Sequence, residues 1–385
     1  MKFKPDITDV SEDPVFSFCE AHVAFSFNLL KELSTQKSET IVCSPYSVAI
    51  CLAVVYTGAN GNTKDEIRRL LGSDDASDEQ IHHYFSKVLT AVTRKRTQFC
   101  LESVNKLCIN TSQPLSEGFE RIVSDNYEGL LQLIDGASRE ETCGDINELT
   151  HISIDGFLTS EDLTSSTSLS ILNATSFKGI WVNQFKKEDN AEMKFRFSKR
   201  NSRNIKMMHQ KNHFSYHEGY DFQVISLPYQ GHELAMYVFL PWRHREVNEM
   251  FIALKDVHIV DFLKKTQTAD QVLVDVQFPS FKVESDYDLI PTLKNLGIKE
   301  AFEESDANFS GINGSQDLFI GKISQKACMK TTIERTEAAD DPHFHIGAQS
   351  IHPPSKRLAF HADHPFFYFI VLESSLTVLL AGIYT

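Results

Sequence analysis

The sequence lacks the closely spaced cysteine pairs that zinc sites and small disulfide scaffolds use. Its cysteines are odd in number, and none stands in a C-x-x-C pattern. Cys43 and Cys51 lie in apolar surroundings and are expected to pack as small hydrophobic side chains. The pattern predicts no disulfide framework and favours folding in a reducing compartment. The seven cysteines are Cys19, Cys43, Cys51, Cys100, Cys108, Cys143 and Cys328.

Long hydrophobic runs are also missing. No stretch approaches the 18 or so apolar residues of a transmembrane helix, so no membrane association is expected. The first residues, MKFKPDITDVSEDP, carry two lysines but no apolar segment after them, which predicts no cleavable signal peptide. We therefore expect a cytoplasmic protein or one secreted by an unconventional route, in which case it would act as an extracellular protein.

Basic residues are fewer than acidic ones. The 38 basic residues face 52 acidic ones, a formal net charge of −14, which argues against a general nucleic-acid binder. Basic residues still cluster at 94–96 and at Lys199, Arg200, Arg203 and Lys206. Such clusters are usually solvated loops, and weak binding of a polyanion or an acidic partner is the alternative.

Catalytic and nucleotide-binding motifs are absent. The sequence contains no G-x-S-x-G, Walker loop, G-x-G-x-x-G or H-E-x-x-H. His343 and His345 could face one side of a strand and bind a metal, but a polar loop would hold them poorly. We expect no enzyme activity, no cofactor and no metal site.

Hydrophobic periodicity divides the chain near residue 165. The first 150 residues are predicted to be mostly helical, with "VCSPYSVAICLAVVYTGA" as a buried helix after Pro45. In "GNTKDEIRRLLG", Thr63 and Glu66 have the spacing of a capping box, and Gly72 is a stop signal.

Strand patterns dominate the second part. "LSILNATSFKGIW", "ELAMYVFLP" and the alternating "QVLVDVQFPSF" predict strands, and "SDYDLIPTLKNLG" predicts a short helix. The last 22 residues predict two apolar strands joined at 373–375. Helices followed by strands, with no clear linker, indicate one α+β domain with large antiparallel sheets.

One segment does not fit a packed domain. Residues 331–367, "TTIERTEAADDPHFHIGAQSIHPPSKRLAFHADHPFF", begin like a strand, pass through a polar run and end in a hydrophobic run. Small residues stand beside two acids and a proline in its first half. The segment is predicted to be long and exposed, although it lies close to the end of the chain.

Six blocks in order carry a resemblance to a known family. They are "SPYSVAICLAVVYTGANGNTKDEI", "NATSFKGIW", "IKMMHQK", "LPYQGHELAMYVFLP", "FPSFKVESDYDL" and "FHADHPFFYFI". Together they resemble the serpins, and the form of residues 362–364 is most similar to the ovalbumin-like branch. The resemblance implies one serpin domain over 1–385, with three β-sheets and about eight or nine helices. It places an exposed reactive-centre loop at about 334–358.

The resemblance also implies a mechanism and a partner. A serpin is a monomeric suicide substrate for a serine protease of the chymotrypsin-like class. The protease attacks one loop bond and forms an acyl-enzyme, and the cleaved loop inserts into the main sheet and traps the enzyme. Control of sheet opening is implied for the shutter residues beneath the sheet and for a tryptophan at its top. These residues are Ser44, Ser47, Asn173, Gln325 and Trp181.

The hinge of the loop departs from the inhibitory pattern E-E-G-T-E-A-A-A-A-T. Glycine is replaced by Arg335, and acids and a proline follow the retained T-E-A-A. On an inserted strand Asp340 and Pro342 would share the core-facing side, where a carboxylate is costly and a proline removes a ladder donor. A non-inhibitory serpin, acting as a substrate, carrier or binding protein, is therefore the alternative. The hinge residues are Glu334, Arg335, Thr336, Glu337, Ala338 and Ala339.

The reactive bond can be placed in more than one register. Counting forward from Thr336 gives Gln349-Ser350, whereas counting back from Pro365 gives a bond near residues 354–355. The first is the preferred prediction. Two further sites would suit other proteases: Lys356 and Arg357 a trypsin-like enzyme, and Phe344 a chymotrypsin-like one.

Overall fold

A computed structural model gives the fold of the chain. The described residues are 14–36, 39–72, 76–94, 99–110, 113–134, 168–198, 200–242, 246–254, 259–331 and 358–385. The predicted hinge and reactive bond therefore lie outside the described residues.

The described part contains nine α-helices. The long helix α2 is buried on almost every side and begins at the N-cap residue Ser44 with proline in its first turn. The helices are α1 Pro14–Gln36, α2 Pro45–Gly58, α3 Gly61–Leu70, α4 Asp78–Thr93, α5 Glu117–Asn126, α6 Val247–Ala253, α7 Ile259–Thr268, α8 Ile290–Asn295 and α9 Ser310–Asn313.

Fourteen strands are described. They are β1 Ile41–Cys43, β2 Phe99–Ile109, β3 Leu131–Leu133, β4 Leu169–Gly179, β5 Ala191–Arg196, β6 Ser202–Glu218, β7 Phe222–Pro228, β8 Leu234–Pro241, β9 Gln271–Pro279, β10 Lys282–Asp288, β11 Ile320–Lys330, β12 Leu358–His361, β13 Phe366–Leu372 and β14 Thr377–Tyr384. This mixture of helices and sheets confirms the predicted α+β class.

A five-stranded sheet has the order β10-β11-β4-β2-β3. The pairs β10–β11 and β4–β2 are antiparallel, whereas the pair β11–β4 and the edge pair β2–β3 are parallel. Strands β11 and β4 therefore end at the same edge of the sheet. The residues that follow β11 are those of the predicted reactive-centre loop.

The other nine described strands form one sheet in the order β1-β14-β13-β8-β7-β6-β9-β12, with β5 pairing to β6. The resemblance implies three sheets, whereas the described strands form two hydrogen-bonded sheets. The reason is β6, which is 17 residues long and pairs in turn with β5, β9 and β7. It joins strands that would otherwise belong to separate layers.

The core lies between these sheets and the N-terminal helices. Helices α1 and α2 pack on β14, and both strands of the C-terminal hairpin are almost entirely buried. Phe367 stacks on Phe239 and Phe251 at 4.5 and 5.3 Å between ring centroids. These phenylalanines thus fill the space between the nine-stranded sheet and helix α6.

Several sequence predictions are confirmed by this arrangement. The C-terminal hairpin turns at 373–376, and Val274, Val276 and Phe278 are fully buried on one face of β9. Gly72 follows α3 with φ +66°, a conformation that favours glycine. No helix in the described ranges is long and apolar enough to span a bilayer.

Other local predictions were wrong. The segment 282–288 forms strand β10, and the predicted helix begins only at Ile290, because pairing with β11 satisfies its backbone. The proposed capping box is also wrong, since α3 already begins at Gly61. The Glu66 carboxylate instead accepts the backbone N–H groups of Lys299 and Glu300, at 2.7 and 3.0 Å.

The described part of the first 150 residues is mostly helical, as predicted, with helices α1 to α5. It also includes the 11-residue strand β2, which pairs along its whole length with β4. Its sequence, FCLESVNKLCI, alternates only weakly. Its strand conformation is set by the neighbouring strand and not by local pattern.

His22 in α1 makes the stability of the fold depend on pH. Its Nε2 lies 3.1 Å from the carbonyl oxygen of Val378, and burial lowers its pKa from 6.5 to about 4, although this hydrogen bond acts in the opposite direction. The unfolded chain therefore takes up a proton at a higher pH than the folded chain does. The free energy of unfolding should fall as pH drops from 6.5 to 4, by about 3 kcal/mol in total.

Urea unfolding at pH 7 and pH 4 would measure this loss. The His22→Gln variant should show a smaller loss, while His83→Gln, at an exposed position of α4, should behave like the wild type. Equal losses in all three proteins would show that His22 does not carry the effect.

Candidate functional site

The seam between β4 and β11 is the centre of the candidate site. Its register runs from Ile320 opposite Leu169 to Lys330 opposite Lys178, so the two strands pair along their full lengths. Asn173 and Gln325 face each other across it at mid-length. Both side chains are fully buried.

Gln325 holds the start of α2 by two hydrogen bonds. Its Nε2 donates to the carbonyl oxygen of Ser44, and its Oε1 accepts from the Ser44 N–H, both at 2.9 Å. The side-chain amide of Gln325 thus pairs with Ser44 as the backbone of a neighbouring strand would. One side chain of β11 therefore satisfies two buried backbone groups at the helix entry.

Ser44 and Ser47 extend the contact to the strands. Ser44 Oγ donates to the carbonyl oxygen of Leu379 in β14 at 2.8 Å and lies 2.9 Å from Ser47 Oγ. Ser47 Oγ lies 2.9 Å from the hydroxyl of Thr175 in β4 and 3.2 Å from that of Ser103 in β2. These hydroxyls connect one helix end to three strands.

Asn173 contacts the same helix from β4. Its Nδ2 lies 3.0 Å from Asn105 Oδ1, 3.3 Å from the carbonyl oxygen of Ser47 and 3.3 Å from Cys51 Sγ. Burial raises the pKa of Cys51 to about 12, so its thiol stays protonated, although the contact with Asn173 acts in the opposite direction. The group is a packing and hydrogen-bonding centre and not a nucleophile.

Trp181 lies at the far end of the seam, two residues after β4. Its indole stacks on Tyr229 with 4.3 Å between ring centroids, and Phe185 packs on its edge. A Cβ at Gly179 would lie 2.3 Å from the Tyr229 ring, so this approach requires glycine. The aromatic group closes the edge at which β4 and β11 both end.

Thr331 fixes the end of β11 at that same edge. Its N–H donates to the carbonyl oxygen of Phe281 at 2.9 Å, and its hydroxyl accepts from the Phe281 N–H at 3.0 Å. The chain is thus held by the β9–β10 connection up to residue 331. The segment predicted to be the reactive-centre loop follows this fixed point.

The structure brings four of the five predicted shutter and sheet-opening residues into one network and places Trp181 at the end of the seam. Their role in sheet opening stays a prediction. Sequence reasoning missed Ser103, Asn105 and Thr175. Thr175 could have been found, since it stands two positions after Asn173 in the same strand and so faces the same side.

The hinge residues 334–339 and the alternatives for the reactive bond, at residues 344, 349–350 and 356–357, lie outside the described residues. So do His343 and His345, the pair considered as metal ligands. Within the described ranges no group of three or more His, Cys, Asp or Glu side chains is arranged to hold a metal ion.

Comparison with known proteins agrees with this geometry. A family model described as "Serpin (serine protease inhibitor)" matches residues 20–385. Serpin B6 of Pongo abelii is 32% identical over 94% of this chain and 97% of its own, and the human leukocyte elastase inhibitor is 30% identical with the same coverage. Human Serpin B3 is 29% identical over 95% of this chain and 98% of its own.

Solved structures show the same fold. Maspin superposes with a TM-score of 0.85 at 23% identity, covering 96% of this chain and 99% of its own. Uncleaved ovalbumin superposes with a TM-score of 0.80 at 24% identity, covering 95% of this chain and 99% of its own. The chain belongs to the serpin family.

Proposed function

We propose that this serpin inhibits a serine protease of the chymotrypsin-like class as a monomeric suicide substrate. One observation carries the proposal: the parallel β4–β11 seam ends at the point where the loop begins. A loop cleaved after its hinge could turn back along β11 and run between the two strands. No catalytic group, metal or cofactor of the serpin takes part in this mechanism.

The sheet geometry favours such an insertion. A strand that reverses direction after β11 is antiparallel to both β11 and β4, so one parallel pair becomes two antiparallel pairs. Each inserted residue adds backbone hydrogen bonds to the sheet. The stabilised sheet supplies the energy that would displace and deform the attached protease before it deacylates.

The polar network beneath the seam would control this step. Strands β4 and β11 separate only if Asn173 and Gln325 remain satisfied or exchange partners, because both are buried. Gln325 bonds to α2 and not across the seam to Asn173. Its two bonds to Ser44 can therefore persist while the strands part.

The relatives suggest a target type. The human relative named leukocyte elastase inhibitor supports a serine protease as the partner of this chain. Its location in or outside the cell stays a prediction, as does the reactive bond at Gln349-Ser350. The single domain over 1–385 is likewise part of the proposal.

A denaturing gel tests the proposal. The protein is mixed with trypsin, chymotrypsin or elastase, and each mixture is denatured and analysed by SDS-PAGE and mass spectrometry. Covalent trapping predicts a band at the summed mass of the serpin and the protease, and the released C-terminal peptide identifies the reactive bond. Complete loop cleavage by every protease without such a band would contradict inhibition.

The second candidate is a serpin fold used without inhibition, as a substrate, carrier or binding protein. It is favoured by Arg335, Asp340 and Pro342, which replace small residues of the hinge. A buried carboxylate and a proline would both oppose insertion beyond Ala339. The two candidates differ in whether cleavage is followed by trapping, and the gel separates them.

A further inference from the structure

The strongest concentration of positive charge in this acidic protein lies in the β5–β6 hairpin, residues 191–206, called the basic hairpin below. It contains six basic residues and one acidic residue, whereas the whole chain has a formal net charge of −14. Including the preceding turn from residue 186 adds two bases and two acids, so the excess of five positive charges remains.

The strand register shows which of these charges share a face. Phe195 is fully buried, so its neighbours Lys194 and Arg196 point to the opposite, exposed side of β5. On that side Lys194 pairs with Asn204, Arg196 with Ser202, and Glu192 with Lys206. One exposed face therefore carries three bases and a single acid.

The other basic side chains of the hairpin add to its positive electrostatic potential. Arg203 lies opposite Phe195, with its guanidinium 4.4 Å from the ring centroid of Phe197, and is still exposed. Arg200 is exposed at the turn. Within the described residues, Lys194, Arg196 and Lys206 form no ion pair with a carboxylate, so their charge is available to a partner.

Hydrogen bonds connect the hairpin to the residues on either side of the predicted reactive-centre loop, on one side through Ser280. At one end, the Lys206 carbonyl accepts from the Ser280 N–H at 3.0 Å, and the Ser280 hydroxyl donates to the carbonyl of Thr331 at 3.2 Å. Thr331 is the last described residue before the loop. At the other end, the Arg196 N–H donates to the carbonyl of Asp363 at 2.8 Å, shortly after the chain returns in β12. A protease bound to a loop that starts and ends beside this hairpin would lie close to it.

We propose that the exposed face of the basic hairpin is a second contact site for the target protease, and that it selects proteases with an acidic surface beside the active-site cleft. The inference rests on the proposed function, since it takes the loop as the bait. Complementary charge at this position steers the encounter and raises the association rate. A nucleic acid or another polyanion is disfavoured by the acidic remainder of the chain.

The test compares two trypsins of similar bond specificity, one anionic and one cationic. The second-order rate constant for cleavage within residues 332–357 is measured by mass spectrometry at low and high salt. The variant Lys194→Gln/Arg196→Gln/Lys206→Gln should slow the anionic enzyme about tenfold at low salt. The cationic enzyme should be slowed little, and high salt should remove the difference.

A matched control carries the same loss of charge elsewhere. The variant Lys87→Gln/Arg121→Gln/Lys299→Gln changes three exposed bases outside the hairpin, and both variants have a formal net charge of −17, from −14 − 3. The control should react like the wild type. Equal rates for the two variants with the anionic enzyme would overturn the proposal, provided that both keep the wild-type thermal midpoint.

The readout separates this inference from the proposed function, because loop cleavage is counted whether or not the protease is trapped. A hairpin-dependent rate without a covalent band would support the contact site and contradict inhibition. A covalent band with cleavage rates that do not depend on the hairpin would support inhibition and contradict the contact site. If heparin-agarose binds the wild type and not the hairpin variant while the rates stay equal, the hairpin is a polyanion site and the protease contact is excluded.

Discussion

Replacing the two unfavourable hinge residues should convert more of the attacking protease into covalent complex. In the Asp340→Ala/Pro342→Ala variant the core-facing side of the inserted strand is small and apolar, and every inserted residue can donate to the ladder. Inhibition is a competition between insertion and deacylation. Since about 1.4 kcal/mol in a barrier changes a rate tenfold, we expect the ratio of trapped to cleaved serpin to rise at least about tenfold.

The neighbouring acid provides the control. Asp341 alternates with these positions and would face the other side of an inserted strand. The Asp341→Ala variant should therefore leave the ratio almost unchanged. Densitometry of the complex and cleaved bands gives the ratio directly. If Asp341→Ala raised it as much as the double substitution, overall charge and not burial would be the cause.

Removing the side chain of Gln325 should weaken the fold at the centre of the seam. The Gln325→Ala substitution leaves the buried N–H of Ser44 without its partner and leaves the Ser44 carbonyl with only the Val48 N–H, at 3.3 Å. The unsatisfied N–H costs about 1–3 kcal/mol and the second lost bond about 1 kcal/mol, so the free energy of unfolding should fall by about 2–4 kcal/mol. The variant should also lose its inhibitory capacity faster on warming, because the less stable fold unfolds sooner.

A glutamine in the same sheet serves for comparison. Gln132 in β3 is half-buried, and among the described residues its side chain donates only to the neighbouring carbonyl of Leu133, at 3.3 Å. Urea unfolding of Gln132→Ala should differ from the wild type by less than about 0.5 kcal/mol. A loss for Gln325→Ala no larger than this would show that its two bonds to Ser44 contribute nothing net.

The class of fold could be predicted from the sequence because its strongest patterns are local. The apolar run of α2, the alternation of β9 and the two C-terminal strands each identify their own element, and six ordered blocks identify the family. Strand β2 could not be predicted in this way, since its pairing with β4 decides its conformation. The start of α8 was also predicted wrongly, because residues 282–288 pair with β11 and form a strand.

The shutter was only partly predictable. Ser44 and Asn173 could be assigned from the resemblance, but the sequence does not show that Gln325 reaches the backbone of Ser44 and leaves Asn173 to Asn105. Such contacts join residues up to 281 positions apart and depend on the register of the seam. The basic hairpin was visible as a cluster of charges. Its position beside both ends of the loop appears only in the folded structure.

The thermal midpoint before and after loop cleavage tests the central claim, insertion between β4 and β11, most directly. Insertion as far as Ala339 adds about six net ladder bonds of about 1 kcal/mol each. At about 2 °C for each kcal/mol, the midpoint of the cleaved protein should rise by about 12 °C, and by more in the Asp340→Ala/Pro342→Ala variant. A cleaved protein that melts at or below the temperature of the intact one would contradict the account.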